Sequence, residues 1–195
     1  MKQKNVTVFC ASSPKVDLSY YKEAELLAEE LVKDGYGIIY GGGAVGLMGK
    51  LANKALELNG KVKGVIPYFM VEVEWEHKGV KDMVHVEDMA ERKKKLIEDS
   101  TAIVVLAGGI GTLEELFEVL SLKKLGQIRH DIILVNTNGY FNPLIKMLES
   151  MIDEHFMREE HRALWHVVDS AVDVCTALKQ LPKWSDNAIE FAAVK

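Results

Sequence analysis

Cysteine is scarce in this chain. Cys10 and Cys175 are the two cysteines in 195 residues, both among apolar neighbours, so no disulfide framework is expected. Neither C-x-x-C nor H-E-x-x-H occurs. The histidines, His77, His85, His130, His155, His161 and His166, are scattered, so no metal site is expected. No run of about eighteen apolar residues exists, which leaves nothing to read as a membrane span. The opening MKQKNVTVFCASS has charge but only a short apolar run that reads as a strand, so no signal peptide is expected. Basic excess is missing too: the net charge of −5 gives no general attraction to nucleic acid or anionic membrane, although a local anion site stays open. A cytoplasmic protein is the expectation.

What is present is a regular alternation. Apolar residues make up 48% of the chain, enough for one domain with a substantial core. Short apolar runs at Val6 to Ala11, Gly37 to Tyr40, Val62 to Ile66, Ala102 to Leu106, Ile132 to Val135 and Val167 to Val168 read as six strands. Between and after them, Tyr20 to Lys33, Leu47 to Leu58, Met89 to Glu98, Thr112 to Lys124, Pro143 to Glu154 and Ala171 to Leu181 read as helices. The first helix gathers Ala24, Leu27, Ala28 and Leu31 on one face and stops at Gly35. Residues 68 to 88 are poorly patterned. Strands that are apolar throughout, separated by helices, predict an α/β Rossmann-like doubly wound sheet, mainly parallel, with helices on both faces. One nucleotide-binding domain is expected over residues 1–181, with a weakly structured tail over 182–195.

Three strand-to-helix turns carry unusual chemistry. Cys10-Ala11-Ser12-Ser13-Pro14 offers hydroxyls that donate to an anion or merely cap the next helix. Gly41-Gly42-Gly43-Ala44-Val45-Gly46 formally matches G-x-G-x-x-G, and Gly108-Gly109-Ile110-Gly111-Thr112 is a second glycine turn. Glycine lets backbone N–H groups face a ligand closely, and the helix start behind adds partial positive charge. Phosphate is the expected guest, contacting Ser12, Gly42 and Gly43 as well as the second glycine turn. A dinucleotide fold fits poorly, because the fingerprint belongs in the first turn and no acidic residue ends the third strand. A P-loop is excluded, since no G-K-[ST] follows the glycines.

Carboxylates crowd the second glycine turn. Thr112 is placed to cap its helix and touch phosphate. Glu114, Glu115 and Glu118 follow, and all suit the helix dipole. A carboxylate so near a phosphate cradle makes chemical sense if it addresses the sugar or its leaving group instead. In Glu91-Arg92-Lys93-Lys94-Lys95, consecutive side chains point about 100° apart, so they cannot all meet one ligand. Arg92 shares its face with Leu96, near the packed side, where it can grip phosphate or position a carboxylate. No G-x-S-x-G or nucleophile triad is found.

These residues carry a resemblance. Gly108-Gly109-Ile110-Gly111-Thr112-Leu113-Glu114-Glu115 resembles the G-G-x-G-T-x-x-E signature of the Lonely Guy family of cytokinin-activating phosphoribohydrolases. Phe9 to Ser13, Tyr40 to Gly43 through Gly46-Leu47-Met48-Gly49, Gly64 to Pro67, Glu91 to Lys93 and Asn138-Gly139-Tyr140-Phe141 follow in family order. The match spans roughly residues 5 to 180. It implies hydrolysis of nucleoside 5′-monophosphates, often N6-modified AMP, to free base and ribose 5-phosphate by a homodimer without cofactor. By motif position it implies Arg92 and Glu115 as the catalytic pair, with Glu74, Lys93, Gly108 to Glu114 and Ser121 lining the nucleotide site. Two positions depart from the family pattern: Ala107 replaces the usual proline and Ala90 a frequent histidine beside Arg92. The "lysine decarboxylase" label carried by many bacterial members fails, because no lysine stands out as a Schiff-base former. A non-catalytic carrier of a phosphorylated cofactor, such as the molybdenum cofactor, is the competing class; Arg92 and Glu115 favour chemistry. Leu113, Leu116, Phe117, Leu120 and Leu122 put more apolar surface on one helix than a single sheet face needs, which suits a dimer contact or core packing.

Overall fold

A computed structural model describes residues 4–71, 75–185 and 187–192. Seven strands form one sheet: β1 (Asn5–Phe9), β2 (Gly37–Tyr40), β3 (Val62–Pro67), β4 (Asp82–Val86), β5 (Ala102–Val105), β6 (Asp131–Val135) and β7 (His166–Val168). Their order is β4-β3-β2-β1-β5-β6-β7, and every pairing is parallel. Strands β2 and β5 are buried along their whole length because helices cover both faces. Successive side chains alternate between the two cores. Val6, Val8, Ile38, Tyr40 and Val104 face α1 (Leu18–Lys33), α2 (Gly46–Glu57) and α6 (Val174–Gln180). Phe9, Ile39, Ile103 and Val105 face α3 (Met89–Glu98), α4 (Ile110–Lys124) and α5 (Asn142–Asp153).

The expected face of α1 is the one that packs: Ala24, Leu27, Ala28 and Leu31 are each fully buried. A leucine sealed in this way contributes about 1.5–3 kcal/mol. The helix starts two residues before the predicted Tyr20, because the Asp17 carboxylate accepts the Ser19 N–H at 2.9 Å.

Strand β4 lies inside the stretch that looked unpatterned. It is an edge strand, paired only with β3, and only Val86 is fully buried. An edge strand exposed to water has no need of a continuous apolar run, so its signal is weak. The segment after residue 181 also differs from its appearance in sequence. Trp184 is buried and donates from Nε1 to the Lys123 carbonyl at 2.9 Å, and Ala188, in the short helix α7 (Ala188–Phe191), is sealed against the same face.

The strand order reverses between β1 and β5, whose following turns therefore leave the sheet toward opposite faces. Backbone bonds hold those turns side by side: Leu106 N–H donates to Phe9 O at 2.9 Å and Ala11 N–H to Ala107 O at 3.2 Å. The carboxyl ends of these strands open a crevice there, the general position for ligands in such sheets.

Candidate active site

Arg92 enters this crevice from the first turn of α3. The helix is started by Asp88, whose carboxylate accepts the Glu91 N–H at 2.8 Å, while the Glu91 carboxylate accepts the Glu87 N–H at 3.0 Å. Glu91 is thus a terminating group of the helix. One residue on, Arg92 is buried, with Nε donating to Val65 O at 3.2 Å and Nη2 to Gly41 O at 3.1 Å. Those bonds tie the guanidinium to the ends of β3 and β2. Nη1 lies 3.7 Å from Oε1 of Glu115, which is buried as well. A buried cation held by two carbonyls and facing a buried carboxylate fixes that carboxylate's orientation.

Glu115 stands on α4, one turn beyond Thr112 and on the same face. The helix begins at Ile110 with Gly109 as N-cap and no side-chain cap, so Thr112 lies within the first turn rather than at the cap. The N–H groups of a first turn have no intrahelical carbonyl before them and carry the positive end of the dipole. Gly109 and Gly111 are exposed, and a Cβ on either would meet nothing within 4 Å. Gly108 is different: it is buried, and a Cβ there would lie 2.1 Å from the Thr112 hydroxyl oxygen. Glycine at 108 makes room for the Thr112 side chain; glycines at 109 and 111 leave the backbone open.

The earlier glycine turn does other work. Ala11 O accepts the Leu47 N–H at 3.0 Å and the Met48 N–H at 3.3 Å, which occupies the start of α2. A Cβ on Gly46, whose φ is +64°, would lie 2.4 Å from the Ser12 carbonyl carbon, so the turn packs directly on the first one. Gly42 O accepts the His77 N–H at 3.0 Å, and Gly43 bridges to Glu76. Gly42 and Gly43 are thus bonded to the 76–77 segment.

Lys93 points elsewhere than its neighbour. Its ammonium binds Glu114 at 2.5 Å and Glu118 at 2.9 Å, and these bonds, Glu114 first, raise its pKa. The triad sits beside the crevice with its charges mutually engaged. Ile110 is exposed, Leu113 is half-buried, and Ser121 is exposed nine residues beyond Thr112, about 14 Å further along the helix. Glu74 lies outside the described residues.

The structure brings together Ser12, Arg92, Gly109, Gly111, Thr112 and Glu115 around a cavity of about 210 Å³. Cys10, Ala11, Ser13, Met48 and Met89 complete its walls. The two methionines were not foreseen as wall residues. Their signal was positional: each lies in the first turn of a helix that leaves the carboxyl end of a strand. A wider cleft of about 560 Å³ opens at the amino ends of β1 to β4 and shares none of these groups. Among the described residues, no group of three or more His, Cys, Asp and Glu could hold a metal ion, and no helix is long and apolar enough to cross a membrane.

A family described as "Possible lysine decarboxylase" matches residues 48–178. The cytokinin riboside 5′-monophosphate phosphoribohydrolase of Rhodococcoides fascians is 38% identical over 161 residues, 82% of this chain and 81% of that protein. The enzyme of the same name LOG5 from Arabidopsis thaliana is 33% identical over 186 residues, 95% of this chain and 82% of its own length. Among solved structures, a molybdenum cofactor carrier protein from Chlamydomonas reinhardtii superposes with a TM-score of 0.72 at 19% identity, covering 92% of this chain and 98% of that one. At that identity the likeness is one of fold.

Proposed function

The chain belongs to the Lonely Guy family, whose named relatives are cytokinin riboside 5′-monophosphate phosphoribohydrolases, and on that premise we propose that it hydrolyses the N-glycosidic bond of purine nucleoside 5′-monophosphates to free base and ribose 5-phosphate. One observation carries the reading. A buried Arg92–Glu115 pair lies one helical turn from an open, glycine-lined helix start in the same cavity.

Cleaving an N-ribosidic bond builds positive charge on the ribose ring, as glycoside hydrolysis does. A carboxylate beneath the ring steadies that charge and orients the attacking water. Glu115 has this role, and Arg92 holds it in place, its Nε and Nη2 being bonded to Val65 and Gly41. The amides from Gly109 to Thr112 and the Ser12 hydroxyl hold the 5′-phosphate, and binding energy at that remote group orients the reacting bond. Lys93, paired with Glu114 and Glu118, sets the charge of the rim. The cavity of about 210 Å³ is smaller than the roughly 300–1,000 Å³ of whole small-molecule sites, which suits the ribose phosphate and leaves the base to adjoining surface. N6-modified adenines suit such an open base site. The protein works as a homodimer in the cytoplasm: exposed Ile110 and Phe117 on α4 supply apolar surface beside the cavity, and the two buried cysteines are not joined in a disulfide.

The test is chromatographic detection of free base after incubation with purine and pyrimidine monophosphates and their nucleosides. Wild type releases base from monophosphates, and Glu115→Ala and Arg92→Ala do not. Undiminished turnover in both variants overturns the assignment; tight nucleotide binding without base release points instead to a carrier.

A further inference from the structure

Asn138-Gly139-Tyr140-Phe141 stands out in the sequence, and the reaction above leaves it unused. In the fold it forms the loop after β6. Asn136 Oδ1 accepts the Phe141 N–H at 2.8 Å, Asn136 Nδ2 donates to Asn142 Oδ1 at 2.8 Å, and Asn138 Nδ2 donates to Ser19 Oγ at 2.8 Å. The Tyr140 ring packs edge-on against Tyr20 and Phe141, with centroids 5.9 and 5.1 Å apart. The ring is therefore seated by contacts that do not involve its hydroxyl.

That hydroxyl donates to Gly108 O at 2.6 Å. It reaches the glycine turn from the side away from Arg92, across a recess of about 160 Å³ lined by Val16, Tyr20, Leu47 and Tyr140. Gly109 borders both this recess and the 210 Å³ cavity. Gly108 C=O and Gly109 N–H belong to one planar trans peptide, so they point in opposite directions. A carbonyl pinned toward Tyr140 sends the N–H toward the cavity. A flexible glycine pair without that pin would sample other orientations.

We propose that Tyr140 is a positioning residue, whose hydroxyl fixes the Gly108–Gly109 peptide so that the Gly109 N–H is a preset donor to the substrate's 5′-phosphate. The proposal rests on the reading that the glycine turn holds that phosphate. Tyr140→Phe keeps the ring packing and removes only the pin. In the variant, KM for AMP rises about tenfold, while Ki for adenosine as a competitive inhibitor moves less than twofold. If KM and Ki rise together, or neither moves, Tyr140 has no such role. A second measurement uses wild type alone: AMP added to ¹⁵N-labelled protein shifts the Gly109 amide far more than adenosine does. Shifts at Ile110 to Thr112 without one at Gly109 overturn this inference and leave the phosphate reading standing. If no amide of the turn responds to AMP, that reading itself fails, and the inference with it.

Discussion

The Arg92 guanidinium lies against the α-carbon of Gly41: Nη2 donates to the Gly41 carbonyl at 3.1 Å, and a methyl built on Gly41 would sit 2.4 Å from that nitrogen. The first glycine of the G-x-G-x-x-G match thus makes room for an arginine rather than a phosphate. Gly41→Ala must displace either the turn or the guanidinium, and with it the orientation of Glu115. Since a misplacement of about 1 Å can cost about 100-fold, kcat for base release from AMP falls by about 10- to 100-fold. Stability falls by about 1–3 kcal/mol through overpacking. Steady-state kinetics well below the melting temperature check this; an unchanged kcat means that the contact is dispensable.

Arg92 and Glu115 act as a unit in this geometry, 3.7 Å apart and both buried. Glu115→Gln keeps the shape and removes the charge, and lowers kcat about 100- to 1,000-fold. Arg92→Ala does similar damage, and the double variant is hardly worse than the poorer single one. Multiplying losses in the double variant would show that the two residues work independently.

His77 is a buried neutral imidazole. Gly79 N–H donates to its Nδ1 at 3.1 Å, which places the ring proton on Nε2, facing Asn53 Oδ1 at 3.0 Å. Burial lowers its pKa from the ordinary 6.5. The unfolded chain therefore takes up a proton before the folded one does, and stability drops as pH falls below about 6.5. His130 and His166, also lowered by burial, act in the same direction. Urea midpoints between pH 5 and 8 decline more gently toward acid in His77→Gln than in wild type. Parallel curves would exclude His77 as a contributor.

Lys123 is sealed at 1% exposure, with its ammonium 5.7 Å from the Trp184 ring centre, and burial pushes its pKa down from 10.5 to about 8. Between those values the unfolded chain keeps a proton that the folded chain releases, so stability rises with pH through that range. Below pH 8 the full cost of burying the charge, about 3 kcal/mol at most, is present. Attraction to Asp131 keeps the shift from being larger. Lys123→Met keeps the stem and loses a cation–π contact of about 1 kcal/mol. Net stability at pH 7 rises by about 1–2 kcal/mol, and the gain seen in wild type above pH 8 disappears. Urea unfolding at pH 7 and 9 decides; a less stable Lys123→Met at pH 7 sinks the argument.

Much of the site was legible in the sequence for local reasons. Glu115 follows Thr112 by three residues on a helix, so their shared face is a matter of helical period. The glycines at 109 and 111 announced an open backbone and kept it. The two glycine turns nevertheless look equivalent in sequence, and only one faces the cavity. What separates them is a carbonyl from another strand's turn: Ala11 O occupies the Leu47 and Met48 amides. Lys93 and Arg92 are adjacent in sequence, yet the helix turns one toward Glu114 and Glu118 and the other into the core.

The sequence by itself determined the alternation of strands and helices, the parallel sheet and the helix that carries Thr112 and Glu115, because these follow from apolar spacing along a short stretch of chain. Only the tertiary structure decided the strand order, the edge strand β4, the docking of Trp184 and the meeting of Gly41, Val65, Arg92 and Glu115 from four separate elements. Those relationships arise from packing between segments distant in the chain, and local residue pattern carries no record of which neighbour a side chain will meet.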